Sequence, residues 1–310
     1  PTTQFYGLWM RDMGPNFLNA TDGSSRKILD WNFNNWGDSL VSFTDEKVDE
    51  LAAVLLDLPV YSSDMYTEGG NHEVNGKGTL MLSKSVPLHR NPGMSIEDIE
   101  EEYKKALNVT NIIWINHIPL TETNAVNSFA DMLPGPDGVT KNSIIFGSQG
   151  HVDNYVRFVD ENTILLAEVS EEDAATHPVL AADREALEAV YHDLQSAQLE
   201  DGSQPKIVRL PAAELHYTKR TPIITRNAEY VLSAKSYMNF LISNDVVLVA
   251  QYGPQTGIAA DYEKDAQAMA VFEQIFPSKT IKAIDILGFN IVGGGIHCTT
   301  MQEPTLLPAP

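Results

Sequence analysis

One cysteine, Cys298, closes the segment Gly293-Gly294-Gly295-Ile296-His297-Cys298 near the end of a 310-residue chain. A thiol that follows three glycines suits nucleophilic work, since residues without Cβ let a substrate approach the backbone and permit turns closed to other residues. A lone cysteine is more often a small buried hydrophobe. Two further segments give this one weight. Gly150-His151-Val152-Asp153-Asn154 offers a base and a carboxylate, and Arg11-Asp12-Met13-Gly14-Pro15 offers a second carboxylate. Thiol, imidazole and two acids together suffice for covalent catalysis in which a base moves protons at the nucleophile.

Secondary-structure elements must bring these distant segments together. Four helices are predicted between strand-like runs. The first spans about Thr44 to Asp57, with Val48, Leu51, Ala52, Leu55 and Leu56 on one face. The second follows Ser95 as N-cap, with Asp98 three residues on, and carries Ile96, Ile99, Tyr103 and Leu107. The third, about Asp183 to Ala197, shows Leu187, Val190, Tyr191 and Leu194, and the fourth runs from about Asp261 to Phe276 and stops at Pro277. Strands are expected at Lys27–Phe33, Gly78–Leu82, Ile112–Ile115, Thr163–Val169, Lys206–Leu210, Val246–Ala250 and Thr280–Ile286. Asn75-Gly76 reads as a hairpin turn, because both residues tolerate positive φ. The recurring unit is strand, helix, strand, often with an added hairpin strand, and four such copies point to a radial repeat architecture. Pro134-Gly135-Pro136-Asp137-Gly138 reads as a surface loop, and no linker divides residues 1–310 into separate domains.

The 42 acidic residues against 21 basic ones give a formal charge of −21, which disfavours nucleic acid and anionic membranes as partners and favours cationic small molecules or basic peptides. Solubility alone also accounts for such a charge. A single cysteine excludes an intrachain disulfide framework and a cysteine-based zinc ribbon. No apolar run reaches the roughly 18 residues of a membrane span. The sequons Asn19-Ala20-Thr21 and Asn108-Val109-Thr110 weigh towards export, the compartment being otherwise open. A chain that starts at Pro1 reads as processed or truncated.

Six segments, in order, carry a resemblance. Trp9-Met10-Arg11-Asp12-Met13-Gly14-Pro15, Trp31-Asn32-Phe33-Asn34-Asn35-Trp36-Gly37, Glu68-Gly69-Gly70, Gly150-His151-Val152-Asp153-Asn154, Ser236-Tyr237-Met238-Asn239-Phe240 and Gly293-Gly294-Gly295-Ile296-His297-Cys298 resemble the signatures of the agmatine deiminase and bacterial, Porphyromonas-type, peptidylarginine deiminase family. The resemblance covers nearly the whole chain. It implies an α/β fold, a pseudo-fivefold propeller of repeated strand-helix-strand units, folded as one catalytic domain with its active site on the central axis. Four helical units are visible, so the first unit is expected to be incomplete in this sequence.

The implied chemistry suits these residue types. A guanidinium is planar, cationic and fork-shaped, so two carboxylates, Asp12 and Asp153, would hold it by paired N–H bonds with its carbon open to attack. Taken alone, Asp12 reads equally as a partner of Arg11 and Asp153 as a surface acid. Cys298 would attack as thiolate, and His151 would protonate departing ammonia and then activate water to hydrolyse the thiouronium. Glu68 resembles the family acid that keeps this imidazole protonated. Asn239 matches a position near the substrate, and Trp9 and Trp36 would wall the site or serve as plain core residues. His297 reads as structural if its segment is extended, since neighbouring strand residues face opposite ways. His72, His89, His117, His177, His192 and His216 show no partner spacing.

Agmatine deiminases carry an acid four residues before the motif histidine, where this chain has Gly147. A buried substrate ammonium would then lack a counter-ion, which favours peptidylarginine over agmatine as the expected substrate. Arg157 and Arg11 are candidate anchors for a substrate carboxylate. An amidinotransferase, a non-catalytic binding propeller and a metal hydrolase built on His151, Asp153, Asp12 and Cys298 are the competing readings, the last without a His-Glu-x-x-His or paired-Cys motif. No cofactor and no metal is expected, because the glycine run lacks the strand-then-helix context of a phosphate loop and no EF-hand loop is present.

Overall fold

The computed structural model describes residues 7–37, 45–123, 132–220 and 228–306. Its fold is mixed α/β, and one supersecondary unit recurs in it four times. In each, two antiparallel strands are followed by a helix and by a third strand parallel to the second. The first copy is β1 (Asn16–Asn19), β2 (Arg26–Asp30), the helix Val48–Leu56 and β3 (Val60–Ser62). The second is β4 (Glu73–Val74), β5 (Thr79–Ser83), the helix Ile96–Leu107 and β6 (Asn111–Ile115). The chain then lays down β7 (Leu133–Pro134) and β8 (Lys141–Ile145) before the third copy, which is β9 (Val156–Phe158), β10 (Thr163–Glu168), the helix Pro178–Ser196 and β11 (Lys206–Pro211). After it, β12 (Tyr217–Lys219) and β13 (Tyr230–Leu232) return to β8 and complete a separate sheet in the order β12-β13-β8-β7. The last copy is β14 (Leu241–Ser243), β15 (Val246–Gln251), the helix Ala259–Ile275 and β16 (Thr280–Asp285).

The middle strands of the second and third copies are deeply buried. All of β5 is buried, as is β10 from Thr163 to Ala167. Such runs fit strands covered on both faces, and a parallel return over those faces needs a helical crossover. The crossover helices close the cores. Leu187, Val190 and Leu194 pack in one cluster with Leu166, Val247, Val249 and Phe272, so the third and fourth copies share a core. Leu29 and Trp31 join Leu80, Leu82, Ile99 and Tyr103 in another, which couples the first copy to the second.

The expected strands are present as β2, β5, β6, β10, β11, β15 and β16. The hairpin at Asn75-Gly76 is present with a different division of labour. Gly76 and Gly78 take positive φ, while the Asn75 side chain accepts hydrogen bonds from the backbone N–H groups of Lys77, Gly78 and Thr79. Ser95 and Asp98 form the expected capping box. Pro134 ends β7, and the residues after it form the turn of the β7-β8 hairpin.

Two helices depart from their patterns. The helix Val48–Leu56 buries Val48, Asp49 and Ala53, and leaves Leu55 75% and Leu56 43% exposed. The run Leu51–Leu56 is apolar at every position and so defines no unique face, and the observed one turns Asp49 towards Asp30. The third helix starts at Pro178, ahead of the expected Asp183, because the His177 side chain caps it by accepting from the Val179 N–H and Pro178 occupies the first turn.

Candidate active site

Each repeated copy delivers a polar side chain from the segment just before its first strand. Asp12 lies in the short helix Met10–Met13 before β1, and Glu68 precedes β4. His151 and Asp153 flank the start of the 3-10 turn Val152–Asn154 before β9, and Asn239 precedes β14. Cys298 enters from a turn after β16. The fold therefore gathers residues far apart in sequence by repeating one placement.

Cys298 is buried, and its backbone N–H and that of His297 both donate to Asn239 Oδ1, at 3.2 and 2.8 Å. With its carbonyl so used, the Asn239 amide turns Nδ2 towards Cys298 Sγ at 3.1 Å and Asp153 Oδ2 at 3.1 Å. The Arg11 N–H donates to the Cys298 carbonyl at 3.0 Å, which docks the Asp12 segment on the nucleophile's backbone. The glycine run serves this packing. A Cβ on Gly294 would lie 2.3 Å from the Trp9 ring, and one on Gly295 would lie 2.6 Å from Asn239 Oδ1.

Asp153 is fully buried with its Oδ2 taken. It accepts from His297 Nδ1 at 2.8 Å and from Asn239, and faces the Cys298 thiol at 3.5 Å. Its Oδ1 has no hydrogen-bond partner among the described residues. Asp12 accepts from the Trp36 indole at 2.9 Å and the Gly70 N–H at 3.0 Å. Gly70 is obligatory in this packing, because a Cβ there would meet His151 Nδ1 at 2.4 Å. His151 stands between two acids, with Nδ1 3.6 Å from Asp12 Oδ1 and Nε2 3.2 Å from Glu68 Oε2.

Burial by itself would lower the His151 pKa, but Asp12, Glu68 and Asp153 outweigh it and hold the imidazole at about 9. Burial pushes Glu68 up, and Arg90 and His151 more than reverse this, leaving it at about 2. Burial raises Asp153 to about 6 and moves Asp12 upwards. The Cys298 thiol is driven well above its ordinary value by burial and then by Asp153 and Asp12. At neutral pH the unliganded site thus holds an imidazolium beside a carboxylate and a thiol in its protonated form.

A pocket of about 400 Å³ opens over these groups, lined by Trp9, Asp12, Trp36, His151 and Cys298, with Phe146, Gly147, Ser148, Asn154, Val292 and Gly293 completing the wall. Asp12 is its one acidic lining residue among the described residues. Trp9 and Trp36 are at the pocket, and Asn239 sits behind the thiol. Arg157 is not. Its guanidinium is buried on Glu73 Oε1 at 2.6 Å and the Met238 and Phe240 carbonyls, over the Phe240 ring, so it anchors the Asn239 segment and has no free fork for a substrate carboxylate. Arg11 is likewise engaged, with the His297 carbonyl and Gln302. His297 faces the site after all. Its segment is a turn, so alternation of side chains does not apply, and its imidazole steadies Asp153.

Arg90 escaped the sequence reading. It donates to Glu68 Oε1 at 2.7 Å, to Gln149 Oε1 at 2.6 Å and to the Ser148 carbonyl at 2.9 Å, with both ionic side chains fully buried. A single arginine in a six-residue helix has no spacing that would mark it. Among the described residues, no group of three His, Cys, Asp or Glu side chains is placed to hold a metal ion, and no helix is long and apolar enough to cross a membrane.

The sequence profile of the Porphyromonas-type peptidyl-arginine deiminase family matches residues 2–134 and 136–304. A protein of Streptomyces coelicolor, provisionally named agmatine deiminase, is 30% identical over 301 residues, spanning 96% of this chain and 75% of its own. The solved agmatine deiminase of Enterococcus faecalis superposes with a TM-score of 0.75 at 25% identity, over 96% of this chain and 75% of that one. A Porphyromonas gingivalis structure provisionally described as an arginine deiminase gives 0.73 at 27% identity, over 96% and 75%.

Proposed function

This chain belongs to the Porphyromonas-type peptidyl-arginine deiminase family and is a hydrolase acting on C–N bonds, and we propose that it converts the guanidino group of agmatine to a ureido group, with release of ammonia, through a covalent adduct on Cys298. The observation that carries the reading is the buried carboxylate of Asp153, whose Oδ2 faces the Cys298 thiol at 3.5 Å and whose Oδ1 has no hydrogen-bond partner among the described residues. A guanidinium N–H is the partner it lacks. With Asp12 opposite, two carboxylates hold the cationic fork, and the positive charge offsets the field that keeps Cys298 protonated.

With the cationic substrate bound, the Cys298 thiol releases its proton to solvent, and the thiolate adds to the guanidino carbon and gives a tetrahedral adduct. His151, already protonated, delivers its proton to the departing nitrogen, so the C–N bond breaks and ammonia leaves a thiouronium on sulfur. The neutral imidazole then removes a proton from water, whose oxygen adds to the same carbon. Cleavage of the C–S bond, with the proton of the added hydroxyl passing to solvent, releases the ureido product and restores the thiolate. Asn239 Nδ2 steadies the sulfur, and Glu68 steadies the imidazolium.

Agmatine is preferred because relatives and solved neighbours across the chain carry that name. A second reading, peptidylarginine, is favoured by Gly147 at the pocket wall and by the absence of any lining acid besides Asp12 among the described residues. An ammonium at the outer end of the substrate would lack a counter-ion there. We also read the repeated copies as blades of a pseudo-fivefold α/β propeller in which residues 1–310 act as one catalytic domain.

The deciding assay measures ammonia and ureido product from agmatine, arginine, internal peptidylarginine and C-terminal peptidylarginine, with Cys298→Ala as control. Turnover of agmatine alone supports the first reading and turnover of peptide alone the second. Activity that survives in Cys298→Ala, or amidino transfer to an added amine in place of hydrolysis, sinks the mechanism.

A further inference from the structure

A second cavity lies behind the wall of the thiol pocket. It has about 630 Å³ of empty space, part of it open to solvent, between the Pro178–Ser196 helix and the segments that follow β10, β11 and β13. Its walls are apolar at Val169, Leu180, Leu187 and Leu215, whereas Glu122, Asp183 and Glu214 bring three carboxyl groups to it. Lys235, the one cation that lines it among the described residues, is committed to Asp261 at 2.5 Å. The lining also includes Ser233, which is 5% exposed and whose hydroxyl has no hydrogen-bond partner among the described residues. Neither the thiol chemistry nor the core requires this combination of an acidic lining and an orphaned hydroxyl.

An apolar chamber with a few convergent polar groups is the usual form of a small-molecule site, and here the ionisable groups besides the ion-paired Lys235 include three carboxyls, Glu122, Asp183 and Glu214. Burial holds Glu122 up at about 8 and Asp183 at about 6. A cation among them would relieve that desolvation and leave its alkyl portion against the leucines. We propose that this cavity is a second ligand site, for a small primary alkylammonium ion held by Glu122, Asp183 and the Ser233 hydroxyl. Asn154 lines both this cavity and the thiol pocket. It donates to Glu122 Oε2 at 3.2 Å and accepts from Asn239 at 2.9 Å, so an occupant sits within three side chains of Cys298 Sγ.

The test is calorimetric titration of n-butylammonium chloride, which has no guanidino group to be turned over, into the wild-type protein, Glu122→Gln, Ala213→Leu and Asp12→Asn. Ala213→Leu fills the cavity and leaves each carboxylate in place, and circular dichroism checks that every variant folds. Saturable binding to wild type that weakens at least ~10-fold in Glu122→Gln and Ala213→Leu, and is unchanged in Asp12→Asn, is the expected result. No saturable binding to wild type overturns the proposal. So does binding that is lost in Asp12→Asn but kept in the other two, which would place the amine in the thiol pocket. Since no turnover is measured, the outcome is independent of which guanidine the enzyme hydrolyses.

Discussion

Asn239 holds Cys298 from two sides, taking its backbone N–H on Oδ1 at 3.2 Å and pointing Nδ2 at its sulfur at 3.1 Å. The two contacts fix which way the amide faces, since only one orientation satisfies both. Asn239→Asp keeps the acceptor and replaces the donor with a second negative charge beside Asp153. Loss of one preorganised donor at a reacting centre costs about 10²–10³ in kcat, and the added charge disfavours the thiolate further. The expected outcome is a kcat at least ~10²-fold lower with KM changed far less. Equal kcat for the variant and wild type would show that the thiolate does not depend on this amide.

Arg90 ties Glu68 to Gln149 and to Ser148 in the wall of the pocket by three hydrogen bonds. Removing one member of a buried ion pair leaves the other uncompensated, at about 3–5 kcal/mol. Arg90→Gln should therefore lower the thermal midpoint and inactivate the enzyme together. Arg90→Lys separates the two effects, because an ammonium keeps the charge opposite Glu68 but lacks the fork that reaches Gln149 and Ser148. It should recover most of the stability and little of kcat, which thermal unfolding and steady-state kinetics on the same preparations would check.

The contrast between Arg90 and the residues it supports shows what a sequence displays. Cys298, His151, Asp12, Asp153, Glu68 and Asn239 stand in short ordered segments whose chemistry is specific, and all but Cys298 enter just before the first strand of a repeated unit. The strands were legible for a related reason, since buried central strands such as β5 and β10 are built around short apolar runs, residues 80–82 and 164–167. Contacts across the fold leave no such trace. Arg90 lies 22 residues from Glu68 and 59 from Gln149, and Arg157 reads as a free anchor until Glu73, 84 residues away, is seen to occupy it. The face of the Val48–Leu56 helix was hidden because six apolar residues in succession mark no side.

His151 and Glu68 set opposite limbs of the stability profile. The imidazole rises from 6.5 to about 9 on folding, so its contribution is fully present below pH 6.5 and is lost as pH rises through 9. Glu68 falls from 4.5 to about 2, so its contribution is present above pH 4.5 and is lost as pH falls through 2. Each shift corresponds to about 3 kcal/mol. Urea unfolding of wild type should therefore lose stability between pH 7 and 10, and Glu68→Gln should flatten that limb by removing the charge that holds the proton on His151. In activity, the alkaline limb of kcat should move down by about one pH unit or more in Glu68→Gln. An unshifted limb would assign the required proton to another group.

Asp49 makes the opposite prediction for an acid. It is buried on the Val48–Leu56 helix, and burial, then the nearby charge of Asp30 and a hydrogen bond to it, push its carboxyl from 3.8 up to about 8. A raised acid pKa means that the folded state holds a proton the unfolded chain releases. The associated stability is present below pH 3.8 and is lost as pH climbs towards 8. Asp49→Asn keeps a donor for Asp30 and has no proton to lose. It should leave stability near pH 4 almost unchanged and raise it at pH 8 by about 2 kcal/mol or more. Denaturant midpoints at the two pH values give the difference directly, and equal changes at both would mean that the Asp49 carboxyl is ionised in the folded protein throughout.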